Sequence, residues 1–96
     1  MLFAVHAKDK PGHLETRLAT RPAHLAYWEQ NDPELVLAGP FLDDDGKPCG
    51  SLIVVRADDL AGARALIDAD PYAIAGLFES VTIQPWNWAL KRPEGV

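Results

Sequence analysis

A single cysteine, Cys49, stands in the 96-residue chain, so no internal disulfide can form. That fits a reducing compartment, and a cytoplasmic location is the expectation. Basic residues are also scarce: nine Lys and Arg against fourteen Asp and Glu, for a net charge of −5. No basic stripe exists to displace counterions, so a nucleic-acid partner is not expected. Long apolar runs are missing as well. Met1-Leu2-Phe3-Ala4-Val5 turns polar at Lys8-Asp9-Lys10. That run is too short for a signal peptide or a membrane span, and no membrane partner is expected. There is no glycine-rich phosphate loop and no G-x-S-x-G elbow. His6, His13 and His24 lack zinc-ligand spacing. Asp43-Asp44-Asp45-Gly46 has consecutive rather than alternate acids, and Val54 stands where a calcium loop needs its closing glutamate. No metal or other cofactor is expected.

What is present reads as one domain, residues 1–96, with a core over about residues 2–86 and a loose tail at 91–96. Apolar residues make up 48% and charged residues 24%, ordinary for a globular chain that buries roughly 60–70% of its unfolded surface. Leu2 to Ala7 alternates as a first strand. Lys8 to Gly12 is a loop, and His13 to Ala19 a short helical turn. Pro22 biases Arg21 away from helical geometry, which predicts a bend there and a new helix from Pro22 to about Asn31. Glu34 to Leu42 and Gly50 to Ala57 read as strands joined across Asp45-Gly46, a tight-turn signal. Pro40 marks its strand as an end, edge or bulge. Asp58 or Asp59 caps a helix whose buried stripe is Leu60, Ala63, Leu66 and Ile67. Pro71 to Gly76 adds a helical turn, and Leu77 to Gln84 is the last strand.

The order strand, helix, strand, strand, helix, strand is the split βαβ pattern. It predicts an α+β, ferredoxin-like subunit with a four-stranded antiparallel sheet and its helices on one face. The other face is then bare, and its apolar strands predict a second copy covering it, a homodimer.

Two local features carry the chemistry. In Asp68-Ala69-Asp70-Pro71-Tyr72, two aspartates follow a helix whose C-terminal dipole disfavours them by about 0.3–1 kcal/mol per exposed charge. Arg21-Pro22-Ala23-His24 places an imidazole in a first helical turn. There the dipole disfavours imidazolium and a nearby carboxylate favours it, which suits a neutral base. Asp70 before Pro71 also fits a plain helix cap, and both roles can coexist because a carboxylate has about four acceptor sites. His24 beside Tyr27 and Trp28 also fits simple packing. Ser51 suits a donor to a substrate oxygen, and Gly39 and Gly50 permit close backbone approach; strand and turn chemistry is the plain alternative. Arg21 suits an anion clamp or a surface ion pair.

Arg21-Pro22-Ala23-His24-Leu25, Ala38-Gly39-Pro40, Gly50-Ser51 and Asp68-Ala69-Asp70-Pro71-Tyr72, in this order and spacing, resemble the YCII family of YciI-like proteins. The resemblance runs from about Leu2 to Trp86. It implies a dimeric α/β barrel of ferredoxin-like subunits and a histidine-aspartate active site at His24 and Asp70. It also implies lyase-type chemistry on hydroxylated, sometimes chlorinated, rings. Beside that pair, Ser51, Arg21, Gly39 and Tyr72 are the substrate-binding candidates.

Two function classes follow. One is a cofactor-free enzyme moving protons on a small cyclic or aromatic substrate, as a lyase or isomerase. The other is a non-catalytic small-molecule-binding or interaction module. His24 and Asp70 in hydrogen-bond reach at a pocket favour the first; a distant, exposed pair favours the second.

Overall fold

Pro40 and Pro85 cannot donate to a β-ladder, and both lie on edge strands of the sheet. The computed structural model describes Met1–Val96. In chain order the elements are β1 (Leu2–Asp9), α1 (Leu14–Gln30), a 3-10 turn (Asp32–Glu34), β2 (Leu35–Leu42), β3 (Pro48–Arg56), α2 (Leu60–Asp68), α3 (Pro71–Ile74) and β4 (Phe78–Trp86). The four strands form one antiparallel sheet in the order β2-β3-β1-β4. This is the ferredoxin-like arrangement that the element order predicts, with the helices on one face. No helix is long and apolar enough to cross a membrane.

The dimeric α/β barrel implied by the family resemblance is overturned by the sheet itself, which is open. β2 and β4 each pair on one side only, and they do not pair with each other. The physical reason is strand number. About eight strands are needed before a closed sheet has an interior just wide enough for side chains. Four strands instead cover one side with helices.

Alternation along β1 shows which side. Phe3, Val5, Ala7 and Asp9 are buried under the helices, while His6 and Lys8 are exposed on the other face. The core joins Phe3 and Val5 to Ile53 and Val55 of β3, Trp28 of α1, and Ala63 and Ile67 of α2. Leu66 packs at its margin, but Leu60, expected in the α2 stripe, is 51% exposed. Asp59 caps α2, accepting from the Gly62 amide at 2.8 Å. The β2-β3 turn forms at Asp43–Lys47: the Asp43 carboxylate accepts from the Asp45 and Lys47 amides, and Gly46 takes the left-handed φ of 76°.

The bend expected at Arg21-Pro22 does not form. α1 runs through it as one 17-residue helix with Pro22 inside. An interior proline costs about 3 kcal/mol locally. Side-chain anchors on both sides of Pro22 outweigh that cost. Arg17 is tied to Asp9 and Ser51 on the N-terminal side, and His24, Tyr27 and Trp28 are tied to Asp70 and the Leu66 carbonyl on the other.

Candidate functional site

The last turn of α2 ends at Asp68, Ala69 closes it, and Asp70 opens α3. Asp70 therefore meets the favourable end of a new helix instead of the unfavourable end of the old one. Its carboxylate accepts from the Tyr72 amide at 3.0 Å, with Pro71 in the first helical turn. Asp68 stays exposed.

The same carboxylate is fully buried and gathers two further donors. His24 Nδ1 lies 2.8 Å from Oδ1 and 3.0 Å from Oδ2. Trp28 Nε1 donates to Oδ2 at 2.9 Å. The cap and the histidine partner thus coexist on one residue. Three converging donors suit an ionised carboxylate, which only accepts. With Nδ1 donating to Asp70, Nε2 is the basic nitrogen, and no protein group bonds it.

His24 is not in a first helical turn, as the Pro22 reading predicted. It is the eleventh residue of α1, and the dipole effect fades beyond the end turns. The ring is oriented instead by α3. Asp70 holds its edge, and the Tyr72 ring stacks on its face with centroids 3.8 Å apart and planes 15° apart. Tyr27 sits nearby and donates to the Leu66 carbonyl at 2.5 Å.

The sequence reading missed a second buried group. Arg17 Nε donates to Asp9 Oδ2 at 2.7 Å, and its Nη2 donates to Asp9 Oδ1 at 3.1 Å and to Ser51 Oγ at 2.8 Å. The Arg17 guanidinium lies 4.8 Å from the centroid of Tyr72. Burial works against the guanidinium charge, but the hydrogen bond and attraction of Asp9, with those of Tyr72, outweigh it and hold Arg17 above its usual value. Tyr72 is also raised, chiefly by burial. Arg17 and Arg21 pull it down, while Asp70 and Asp9 push it up.

These groups meet at one cavity of about 210 Å³. His24, Tyr72, Ser51, Arg21 and Gly39 all line it, together with Arg17. Asp70 sits behind the His24 ring, buried from solvent. Arg21 is exposed at the cavity and belongs to none of the three ion pairs, which are Lys8-Glu79, Arg17-Asp9 and His24-Asp70. The close approach expected at two glycines holds at one. A Cβ on Gly50 would lie 2.7 Å from the Ala7 carbonyl oxygen, whereas one on Gly39 would meet nothing within 4 Å.

An open, antiparallel ferredoxin-like sheet with a part-buried histidine bonded to a buried aspartate at a small cavity defines the class of this protein. Residues 1–87 match the YCII-related domain, and the chain belongs to that family. Protein YciI of Escherichia coli O6:H1 and Protein YciI of Shigella flexneri are each 38% identical to it, over 91% of this chain and 97% of theirs. Among solved structures it is similar to 5-chloro-2-hydroxyhydroquinone dehydrochlorinase from Burkholderia phenoliruptrix, in complex with 2,5-dihydroxybenzoquinone. The TM-score is 0.83 at 33% identity, covering 91% of this chain and 94% of that one. A cofactor-independent oxygenase from Streptomyces nogalater shares the fold alone, with a TM-score of 0.60 at 14% identity over 95% and 97% of the two chains.

Proposed function

We propose that the chain is a small enzyme that uses His24 and Asp70 for proton transfer on a small hydroxylated cyclic or aromatic substrate. The reaction is of lyase or isomerase type. One observation carries the reading: the 2.8 Å contact of His24 Nδ1 with a fully buried carboxylate, which leaves Nε2 as an unbonded base at a cavity. The cavity, about 210 Å³, lies below the roughly 300–1,000 Å³ typical of drug-sized ligands, so a single ring suits it. Ser51, Arg21, Gly39 and Tyr72 are the substrate-lining residues of this reading.

The similarity to a dehydrochlorinase supports the lyase form. In such a step, Nε2 takes a proton from the substrate, the electron pair forms the new double bond, and chloride departs. Asp70 keeps the resulting imidazolium oriented and compensated.

The reading includes a homodimer. On the sheet face away from the helices, Phe41, Leu52 and Trp86 remain 38%, 38% and 40% exposed, an apolar surface for a second copy to cover. A stable monomer in light scattering at micromolar concentration counts against it.

The test of the catalytic reading is a panel of catechols and hydroxyquinols, with and without ring chlorine, assayed for chloride release and ring absorbance. Turnover by the wild type and a loss of roughly two to four orders of magnitude in His24→Ala are expected. Binding without turnover, equal in both proteins, points to a small-molecule-binding module.

A further inference from the structure

The side chain of Trp28 has one polar group, and the carboxylate of Asp70 engages it. Indole Nε1 donates to Asp70 Oδ2 at 2.9 Å, with both residues buried. The ring packs in the core with Phe3, Val5, Ile53 and Ile67, and Tyr27 meets it edge-on at 5.0 Å between centroids. Trp28 does not line the cavity, so its N–H serves no ligand there directly. A buried indole needs an acceptor, and packing alone accounts for the ring. The choice of acceptor is the informative part. His24, four residues earlier on the same face of α1, donates to that same carboxylate.

The donors divide between the two oxygens. The Tyr72 amide bonds Oδ1 and the Trp28 indole bonds Oδ2, while His24 Nδ1 reaches both, at 2.8 and 3.0 Å. The terminal torsion of an aspartate is otherwise broad. Here a donor from α3 and a donor from α1 pin one oxygen each, and the imidazole edge sits between them. All three draw on one negative charge, so the bond to Oδ2 weakens the pull on the Nδ1 proton. We infer that Trp28 is a positioning residue of the His24-Asp70 pair. Its N–H fixes the plane of the carboxylate and withdraws part of the charge from the Nδ1 hydrogen bond. The inference rests on the reading of His24 as the base, and adds what tempers that base. When Nε2 takes a proton from the substrate, Nδ1 keeps its own. Asp70 stays a carboxylate, because these contacts fill its roughly four acceptor sites. The imidazolium is held less tightly than an unshared carboxylate would hold it, and it can return its proton for the next turnover.

The test reads the resting protein, without substrate. Its probe is the Nδ1 proton of His24, followed by NMR in protein carrying isotope-labelled histidine and assigned with a His24→Gln control. Trp28→Phe keeps a ring in the core and removes the N–H. The Nδ1 proton should move downfield in that variant, because the carboxylate is then shared by one donor fewer. Replacing tryptophan throughout with 5-fluorotryptophan keeps the indole and makes its N–H a stronger donor, so the same proton should move upfield. Trp86 and Trp88 pack on each other at the end of β4, and it is Phe78, at the other end of that strand, that meets Tyr72. The fluorinated protein carries the test alone if Trp28→Phe does not fold. An indole that only packs predicts lower stability in Trp28→Phe with the His24 proton unmoved. An unmoved proton in either protein, or a shift opposite to the one expected, overturns the inference; in an enzyme that still turns over, it leaves the His24-Asp70 reading intact. The expected shifts in a protein that turns over no ring compound support the hold of Trp28 on the pair and remove the catalytic reading.

Discussion

The imidazole of His24 lies nearly flat on the ring of Tyr72, with planes 15° apart and centroids separated by 3.8 Å. Tyr72 is two residues after Asp70, so the first turn of one four-residue helix grips the imidazole by both face and edge. That grip, and not the dipole of α1, is what aims Nε2. Tyr72→Phe should keep the stack and cost little stability. Tyr72→Ala removes a buried ring and should cost about 3–5 kcal/mol in urea unfolding. Activity measured without denaturant, where both variants are folded, should separate ring orientation from the phenol group.

Asp70→Asn should destabilise more than a cap exchange does. Asn normally caps about as well as Asp. Here the carboxylate serves His24, Trp28 and the Tyr72 amide together, and an amide offers one acceptor oxygen with two donors of its own. At least one buried donor then loses its partner, at roughly 1–3 kcal/mol. Asp70→Ala strands all three donors, and about 3–5 kcal/mol is expected. Equal unfolding midpoints for wild type and Asp70→Asn would show that the cap alone matters.

Pro22→Ala should stabilise the protein. Alanine can supply the backbone N–H that Pro22 lacks, in a helix that already continues past it. The more flexible unfolded chain takes back about 0.4–1 kcal/mol. A net gain of roughly 1–2 kcal/mol is expected from chemical denaturation.

Pro22 also shows where sequence reasoning stops. Local propensity there asks for a helix start, and only long-range anchors on both sides of the proline override it. The strands and their sequence along the chain were legible because alternation in β1, Pro40 in β2 and the Asp45-Gly46 turn are local signals; Pro85, read as the end of the sheet, lies inside β4 instead. The dyad was legible because the His24 and Asp-Pro-Tyr motifs stand out along the chain. Arg17 was not. Once α1 is continuous, Arg17, Arg21, His24 and Trp28 follow one another at steps of four, three and four on one helix face. The misplaced break at Pro22 hid that stripe. Trp28 was placed beside His24 by its spacing, but its bond to Asp70 spans 42 residues and no local pattern announces it. The barrel expected from the resemblance failed for a different reason: closure depends on strand number, and this chain has four.

Alkaline pH supplies the last prediction. Tyr27 is held above its ordinary value, first by burial, then by the charges of Asp70 and Glu34. Tyr72 is raised mainly by burial as well. A group whose folded pKa lies above its unfolded one adds stability that is fully present below the unfolded value. That stability fades as pH rises through the folded value. The unfolded value for tyrosine is about 10, so stability should be flat with respect to these groups below that pH and fall above it. Ionising Tyr27 also removes the proton that it donates to the Leu66 carbonyl, and so loosens α1 from α2. Tyr27→Phe should therefore begin less stable by about 1 kcal/mol and lose less as the pH climbs. Unfolding midpoints measured across the alkaline range, with tyrosinate absorbance followed in parallel, check both parts. Parallel curves for wild type and Tyr27→Phe would show that Tyr27 does not set the alkaline limit.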